Sequence, residues 1–350
     1  MELKLPPVVF GTSGLGNLYV ALDEDVKTRI VEACVQHSGG QVIFDSAGKY
    51  GAGLALESLG RALKKLGIAP GKIVISNKLG WLRSPLVGKE PTFEPGVWKD
   101  LRYDAIQKIG YDGMLECFEQ GNELLGGYIP QMVSVHDPDE YLAGAGNDAE
   151  ELTRRYEDIL DAYEALFDLK QQGKVSAIGV GAKDWRVIKR LVRDVPLDWV
   201  MFANSMTLKS HPWELAYLIR ELADRDVKVI NSAVFNSGFL VGSDYYDYKL
   251  MRRGDPRADR LFRWRDEFFA VCDEFGVTPA AACVQFALYV PGVCSIALQS
   301  SNPDRVKENL DMAAVRLPEE FWRALRERDL VNFDPMAVMQ PGHIRFNNYY

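Results

Sequence analysis

Four residues of the sequence have the types and spacing needed to move a proton near neutral pH. Asp45 and Tyr50 share the stretch Gln41-Val-Ile-Phe-Asp-Ser-Ala-Gly-Lys-Tyr50, while Lys78 and His136 each follow a later apolar run. A free phenol titrates near 10, but an ammonium about 4 Å away at an effective dielectric near 20 supplies up to roughly 4 kcal/mol, or about 3 pKa units. We therefore expect Lys78 to bring the pKa of Tyr50 toward neutrality while Asp45 keeps the lysine charged. His136 then orients the reacting oxygen.

The elements that must position these side chains are parallel strands. Asp45, Lys78 and His136 each end a short apolar run, and such runs begin near Val8, Val42, Ile73, Met132, Val175, Leu197, Val227 and Val293. Helical periodicity of three and four separates the runs, most clearly over 150–172. Alternation of this kind predicts an α/β fold, a single (β/α)8 TIM barrel over 1–350, whose strand ends carry the chemistry.

Three segments depart from the alternation. Long irregular loops follow the third strand, over about 80–112, and the seventh strand, over about 235–260. Because irregular connections of this length are uncommon outside functional sites, we expect the first of them to act as a lid. The C-terminal extension 317–350 carries aromatic residues and is expected to pack over one face of the barrel.

The amino-acid composition limits the classes of molecule that this protein is expected to bind. The net charge of -8 without a basic block argues against nucleic acid. No signal peptide and no membrane-length apolar run are present, so we expect a soluble, cytoplasmic protein without a membrane partner. Five dispersed cysteines predict reduced core thiols and no metal site. A monomer and a small homo-oligomer both remain open.

The motif Asp45-Ser-Ala-Gly-Lys-Tyr50-Gly51, with Lys78 and His136-Asp-Pro in the same order, resembles the aldo-keto reductase family. The resemblance implies that Asp45, Tyr50, Lys78 and His136 are a catalytic tetrad serving hydride transfer to or from a nicotinamide. Loop stretches such as Val97-Trp98-Lys-Asp resemble the sugar-oxidising branch, the aldose 1-dehydrogenases. That branch implies oxidation of C1 of an aldose to a lactone, with Trp81, Tyr50 and His136 contacting the substrate.

The same resemblance implies a cofactor site spread over several strand ends. Its residues are Gly11, Thr12, Asp45, Asn204, Phe235, Ser237, Gly238, Leu240, Gln299, Ser300, Arg305, Glu308 and Asn309. Gln299 stands where members that prefer NADP commonly carry a lysine, although Arg305 remains, so NAD or NADP is expected with a lean to NAD. Gly181-Ala182 replaces a usual Ser-Asn pair. Ser232 stands where the family has an aromatic residue that stacks on the nicotinamide, and Phe235 is expected to take that role.

Two other functions fit the same residues. One is an NADPH-dependent aldehyde or ketone reductase, including enzymes acting on pyridoxal-type substrates. The other is a non-catalytic cofactor-sensing subunit, because this fold also serves in that role beside a membrane channel. The predicted partner is a small sugar or aldehyde.

Overall fold

In the computed structural model, which describes residues 3–332, eight parallel strands close into a barrel. The strands are β1 (Val8–Gly11), β2 (Val42–Ala47), β3 (Ile73–Leu79), β6 (Met132–His136), β7 (Ala177–Ala182), β8 (Trp199–Ala203), β9 (Lys228–Ser232) and β12 (Val293–Leu298). They pair in this sequence order, and β12 pairs with β1 to complete the ring. The predicted (β/α)8 barrel is therefore confirmed.

Helices surround this barrel. They are α1 (Glu24–His37), α2 (Leu54–Lys65), α3 (Tyr111–Leu124), α4 (Pro138–Ala143), α5 (Ala149–Gln171), α6 (Trp185–Asp194), α7 (Trp213–Asp224), α8 (Asp259–Phe275), α9 (Pro279–Tyr289), α10 (Asp304–Ala314) and α11 (Glu319–Glu327). The apolar faces predicted from periodicity are buried, as Ile159 and Leu166 of α5 show. Over residues 3–332, no helix has the length and apolarity needed to cross a membrane.

The register of the strands aligns the chemistry-bearing residues. Ala47 of β2 lies opposite Lys78 of β3, and Lys78 lies opposite Ser134 of β6, two residues before His136. Because all three strands are parallel and adjacent, their carboxyl ends meet at one rim of the barrel. Seven buried side chains fill the interior below that rim, among them Val9, Ile43 and Trp199, so the barrel is packed rather than open.

Both long loops contain short hairpins that the sequence did not predict. β4 (Trp81–Pro85) pairs antiparallel with β5 (Tyr103–Gln107) in the first loop, and β10 (Tyr245–Tyr246) pairs with β11 (Lys249–Leu250) in the second. These strands lie outside the barrel and most of their residues are at least partly exposed, so they lack the apolar run that marks a buried strand.

Two helices and one cysteine also differ from expectation. α4 has only six residues, too few to show a helical periodicity in the sequence, and α11 lies in the C-terminal extension, for which no helix was predicted. Phe321 and Trp322 of α11 are buried against the core, so the extension packs on the barrel up to Asn332. The rest of the predicted extension, 333–350, lies outside the described residues. Cys294 is exposed and is not a core thiol, unlike the other four cysteines.

Candidate active site

Asp45 and Lys78 form a buried ion pair at the rim. Lys78 Nζ lies 2.5 Å from Asp45 Oδ2, and each side chain is only 3% exposed. The ammonium also donates to the backbone carbonyl of Ser46 at 3.2 Å, while Ser76 Oγ donates to Asp45 Oδ1 at 3.2 Å. Such hydrogen bonds replace the water that both charges lose on burial, so the pair is well satisfied.

Tyr50 is positioned by a close approach of two backbones. Gly51 has φ of +60°, and a Cβ on it would lie 2.3 Å from the carbonyl oxygen of Gly16. Only glycine fits this crossing, and it fixes where the preceding Tyr50 points. The Tyr50 ring centroid lies 4.7 Å from Lys78 Nζ and 5.6 Å from the imidazole of His136, which meets it edge-on at 85°.

The pKa of Tyr50 moves in the direction opposite to the one expected from the sequence. Burial raises the pKa of the phenol well above its ordinary value, and the negative charges of Asp45 and Asp137 raise it further. The physical reason is visible in the contacts of Lys78. Its ammonium lies over the ring rather than at the hydroxyl, and Asp45 at 2.5 Å offsets most of its charge. The resting form of Tyr50 is therefore the neutral, proton-donating phenol.

His136 is uncharged at neutral pH. Burial lowers the pKa of its imidazole well below the ordinary value, and the ammonium groups of Lys78 and Lys49 lower it further. Its Nδ1 is buried without a hydrogen-bond partner among the described residues, and Nε2 lies 3.6 Å from Asp137 Oδ2. A neutral imidazole with an unused nitrogen beside a phenol is suited to hydrogen-bonding a substrate oxygen.

A second charged cluster adjoins the four predicted residues and was missed by sequence reasoning. Lys49 Nζ lies 2.6 Å from Glu140 Oε2, 2.9 Å from Glu94 Oε1 and 3.4 Å from Asp137 Oδ2. Burial by itself would lower the pKa of Lys49, but Asp137 and Glu94 outweigh burial and the pKa is raised. The lysine is therefore a fixed cation. Its place next to Tyr50 in the motif was the signal that could have found it.

The predicted catalytic residues converge on one cavity of about 320 Å³. Asp45, Tyr50, Lys78 and His136 all line it. Six of the residues predicted to bind the cofactor also line this cavity, namely Gly11, Asp45, Phe235, Ser237, Gly238 and Gln299. Phe235 is thus within the cavity, as the substitution for the missing aromatic at Ser232 requires. These placements bring the predicted site together, and the role of each residue stays a prediction.

Other predicted cofactor residues lie around or below this cavity. Thr12 is 1% exposed and its hydroxyl donates to Ser46 Oγ at 2.8 Å, so it braces the rim. Leu240 is part of the second loop, and its side chain is fully buried in the core. Asn204 lines an adjoining cavity, where its Oδ1 is buried without a partner among residues 3–332. Ser300 Oγ accepts a hydrogen bond from the Asn302 backbone at 3.1 Å.

The remaining predicted positions are on α10 and in the first loop. Arg305 and Glu308 are exposed on α10, and Asn309 is partly buried there. Trp81, predicted to contact substrate, is not among the residues lining the cavity; its ring lies 5.1 Å from Lys49 Nζ. Within the part of the chain that the structure describes, no three His, Cys, Asp or Glu side chains are grouped to hold a metal ion.

Comparison with known proteins gives a consistent result. The model of the Aldo/keto reductase family matches residues 7–329. A pyridoxal 4-dehydrogenase from Microbacterium luteolum is 28% identical over 346 residues, covering 94% of this chain and 96% of the relative. A D-threo-aldose 1-dehydrogenase from Pseudomonas sp is 28% identical over 341 residues, covering 94% and 95% respectively.

A solved structure shares the fold. An aldo-keto reductase from Klebsiella pneumoniae, determined in complex with NADPH, gives a TM-score of 0.62 at 18% identity and covers 95% of this chain and 93% of its own. The barrel, the convergent rim residues and the family match agree. The chain therefore belongs to the aldo/keto reductase family and is an oxidoreductase.

Proposed function

We propose that this oxidoreductase transfers hydride between a nicotinamide dinucleotide and a sugar or related carbonyl compound, acting as a dehydrogenase on C1 of an aldose to give a lactone. The observation that carries the proposal is the convergence of Asp45, Tyr50, Lys78 and His136 on one cavity. The family match and the relative that oxidises threo-aldoses support this reaction class. The relative that acts on pyridoxal marks the nearest alternative substrate.

Features of the rim fit a nicotinamide dinucleotide. The Oδ1 of buried Asn204 has no hydrogen-bond partner among residues 3–332, and the N–H of a carboxamide could donate to it. A Cβ on Gly11 would come within 3.2 Å of Gln299 Cβ, so a larger residue would crowd the strand end where both line the cavity. The N-terminus of α10 follows Ser300 and suits an anion. When bound, the nicotinamide ring supplies or accepts the hydride.

The side chains of this chain would manage the accompanying proton. In reduction, Tyr50 would donate its phenolic proton to the oxygen that gains charge, and in oxidation its phenolate would take the proton back. His136 would hold the same oxygen by a hydrogen bond from its neutral ring. Lys78 would stabilise the phenolate once it forms, and Asp45 would keep Lys78 charged and in place.

The direct test is a substrate panel with both cofactors. Absorbance of the reduced nicotinamide should rise with L-fucose, D-arabinose or D-galactose and NAD or NADP. Tyr50→Phe should lower kcat by at least about a thousandfold while leaving the Kd of the cofactor within about twofold, because only the proton carrier is lost. A fully active phenylalanine variant would refute the assignment of Tyr50.

The cofactor preference is proposed as NAD. Gln299 brings a neutral amide to the cavity where a lysine would neutralise a phosphate, which removes the charge that favours NADP. Steady-state kinetics with each cofactor test this preference. A kcat/KM for NADP tenfold higher than that for NAD would contradict the proposal.

Reduction of aldehydes is the second candidate, and one observation favours it. Because the Tyr50 pKa is raised by burial, the resting site holds the acid form that reduction uses. Oxidation of NADPH by pyridoxal or simple aldehydes, with no aldose-dependent reduction of NAD or NADP, would establish this candidate instead of the first.

A further inference from the structure

The first long loop places a carboxylate and an indole at the wall of the active-site cavity. Glu94 and Trp98 are four residues apart, and Trp98 Nε1 donates to Glu94 Oε2 at 2.7 Å. The Trp98 ring centroid lies 5.9 Å from that of Tyr50. Both side chains line the cavity that holds the tetrad, and Glu94 also lines the adjoining one. The pair and Tyr50 therefore line the same cavity.

Separate contacts hold this pair in place. Lys49 Nζ binds Glu94 Oε1 at 2.9 Å, and Leu18 forms a β-bridge with Trp98. Asn17 Nδ2 donates to the Lys99 carbonyl at 3.0 Å, which ties down the next residue. Glu94 has φ of +44°, a conformation that non-glycine residues seldom adopt and that clusters at ligand sites. The loop is therefore anchored over the rim in a specific conformation.

Hydrogen-bonding capacity distinguishes Glu94 from its lysine. Lys49 donates hydrogen bonds to Asp137 at 3.4 Å and to Glu140 at 2.6 Å, and it forms an ion pair with Glu94 at 2.9 Å. Three carboxylates surround this ammonium, so Lys49 is a positioning residue. An ionised carboxylate has about four acceptor sites; the hydrogen bond from Trp98 uses one on Oε2, while Oε1 forms the ion pair with Lys49. The side chain of Glu94 is 30% exposed and lines the cavity, so the carboxylate is accessible to a ligand there.

We propose that Glu94 and Trp98 form a hydroxyl-reading subsite, in which the carboxylate accepts hydrogen bonds from substrate hydroxyl groups and the indole packs against the carbon chain that bears them. The assignment makes Glu94 a specificity-determining residue that selects hydroxylated substrates over apolar ones. It rests on the proposed function only for the use of the cavity by a carbonyl or alcohol substrate.

The test compares the reduction of erythrose and butanal, two aldehydes of equal carbon number, with whichever of NADH and NADPH supports the faster reaction. Their ratio of kcat/KM values is independent of the folded fraction of a preparation. Glu94→Gln preserves size but removes the charge and an acceptor, so the erythrose-to-butanal ratio should fall by at least about tenfold, mainly through the KM of erythrose. Trp98→Phe retains an aromatic surface, frees the carboxylate from the indole N–H and should lower the ratio by a smaller factor.

Glu90→Gln is the matched control, because Glu90 is exposed on the same loop. It should leave the ratio within about twofold of the unmodified enzyme. A Glu94→Gln ratio reduced by less than about threefold, or an equal change in Glu90→Gln, would overturn the subsite. Absence of aldose oxidation together with a large fall in the Glu94→Gln ratio would refute the proposed function while retaining the subsite.

Discussion

Replacing Lys78 with methionine should destabilise the protein strongly, because it leaves Asp45 charged and buried. The two side chains are each 3% exposed and 2.5 Å apart. At an effective dielectric near 20, unit charges at this distance attract by roughly 7 kcal/mol before desolvation is counted. Removal of one partner of a buried pair typically costs about 3–5 kcal/mol. Since Ser76 still donates to Asp45, we expect about 3 kcal/mol for Lys78→Met.

The double variant Asp45→Asn/Lys78→Met separates charge compensation from catalysis. With both charges gone, the free energy of unfolding should return to within about 1 kcal/mol of the unmodified protein, because neutral replacements of buried pairs are often tolerated. Turnover should not return, since the ammonium that stabilises the phenolate is still absent. Urea denaturation followed by far-UV circular dichroism measures the stability, and absorbance of the nicotinamide measures the activity.

Lys72→Met provides the control for the loss of a lysine. Lys72 is exposed just before β3, and its replacement should change the free energy of unfolding by less than about 0.5 kcal/mol. The reasoning would be refuted by a Lys78→Met variant that loses less than about 1 kcal/mol, or by a double variant as unstable as the single one.

Three other properties can be measured independently. Because burial raises the pKa of Tyr50, its acid form persists through neutral pH. We therefore expect kcat/KM for reduction to stay level from about pH 6 to 9 and kcat/KM for oxidation to rise throughout that range. A maximum of kcat/KM for oxidation near neutral pH would contradict this prediction. Gly51→Ala should lower the melting temperature far more than Gly67→Ala. The two glycines have similar φ values of +60° and +67°, but only a Cβ at position 51 would collide with the backbone of Gly16. Equal decreases in melting temperature would show that backbone strain alone determines the effect. Burial raises the pKa of Asp139 to about 6, so its charge at pH 7 destabilises the folded state. Asp139→Asn should therefore increase the free energy of unfolding by about 1–3 kcal/mol at pH 7 and change it little below about pH 4. Urea titrations at the two pH values measure this difference.

The strand-end residues of the candidate site could be predicted because a parallel barrel restricts them geometrically. Asp45, Lys78 and His136 each end an apolar run, and the register of adjacent strands brings such ends together at one rim. Glu94 offered no comparable signal. It lies in a loop without periodicity, and its contact with Lys49 depends on a positive φ. A single glutamate in a sequence gives no indication that its φ is positive.

The proton state of Tyr50 shows a different limit of sequence reasoning, since it depends on the sum of several charges. A single lysine near a phenol lowers its pKa, and the sequence contained that lysine. Asp45 offsets its charge, and Asp137 and Glu94, neither of which was given a role from the sequence, add negative charge at the same cavity. Because burial and these carboxylates both stabilise the protonated phenol, Tyr50 is in its proton-donating form at rest. We therefore expect alkaline pH, or a bound positive charge near Tyr50, to favour the proposed oxidation.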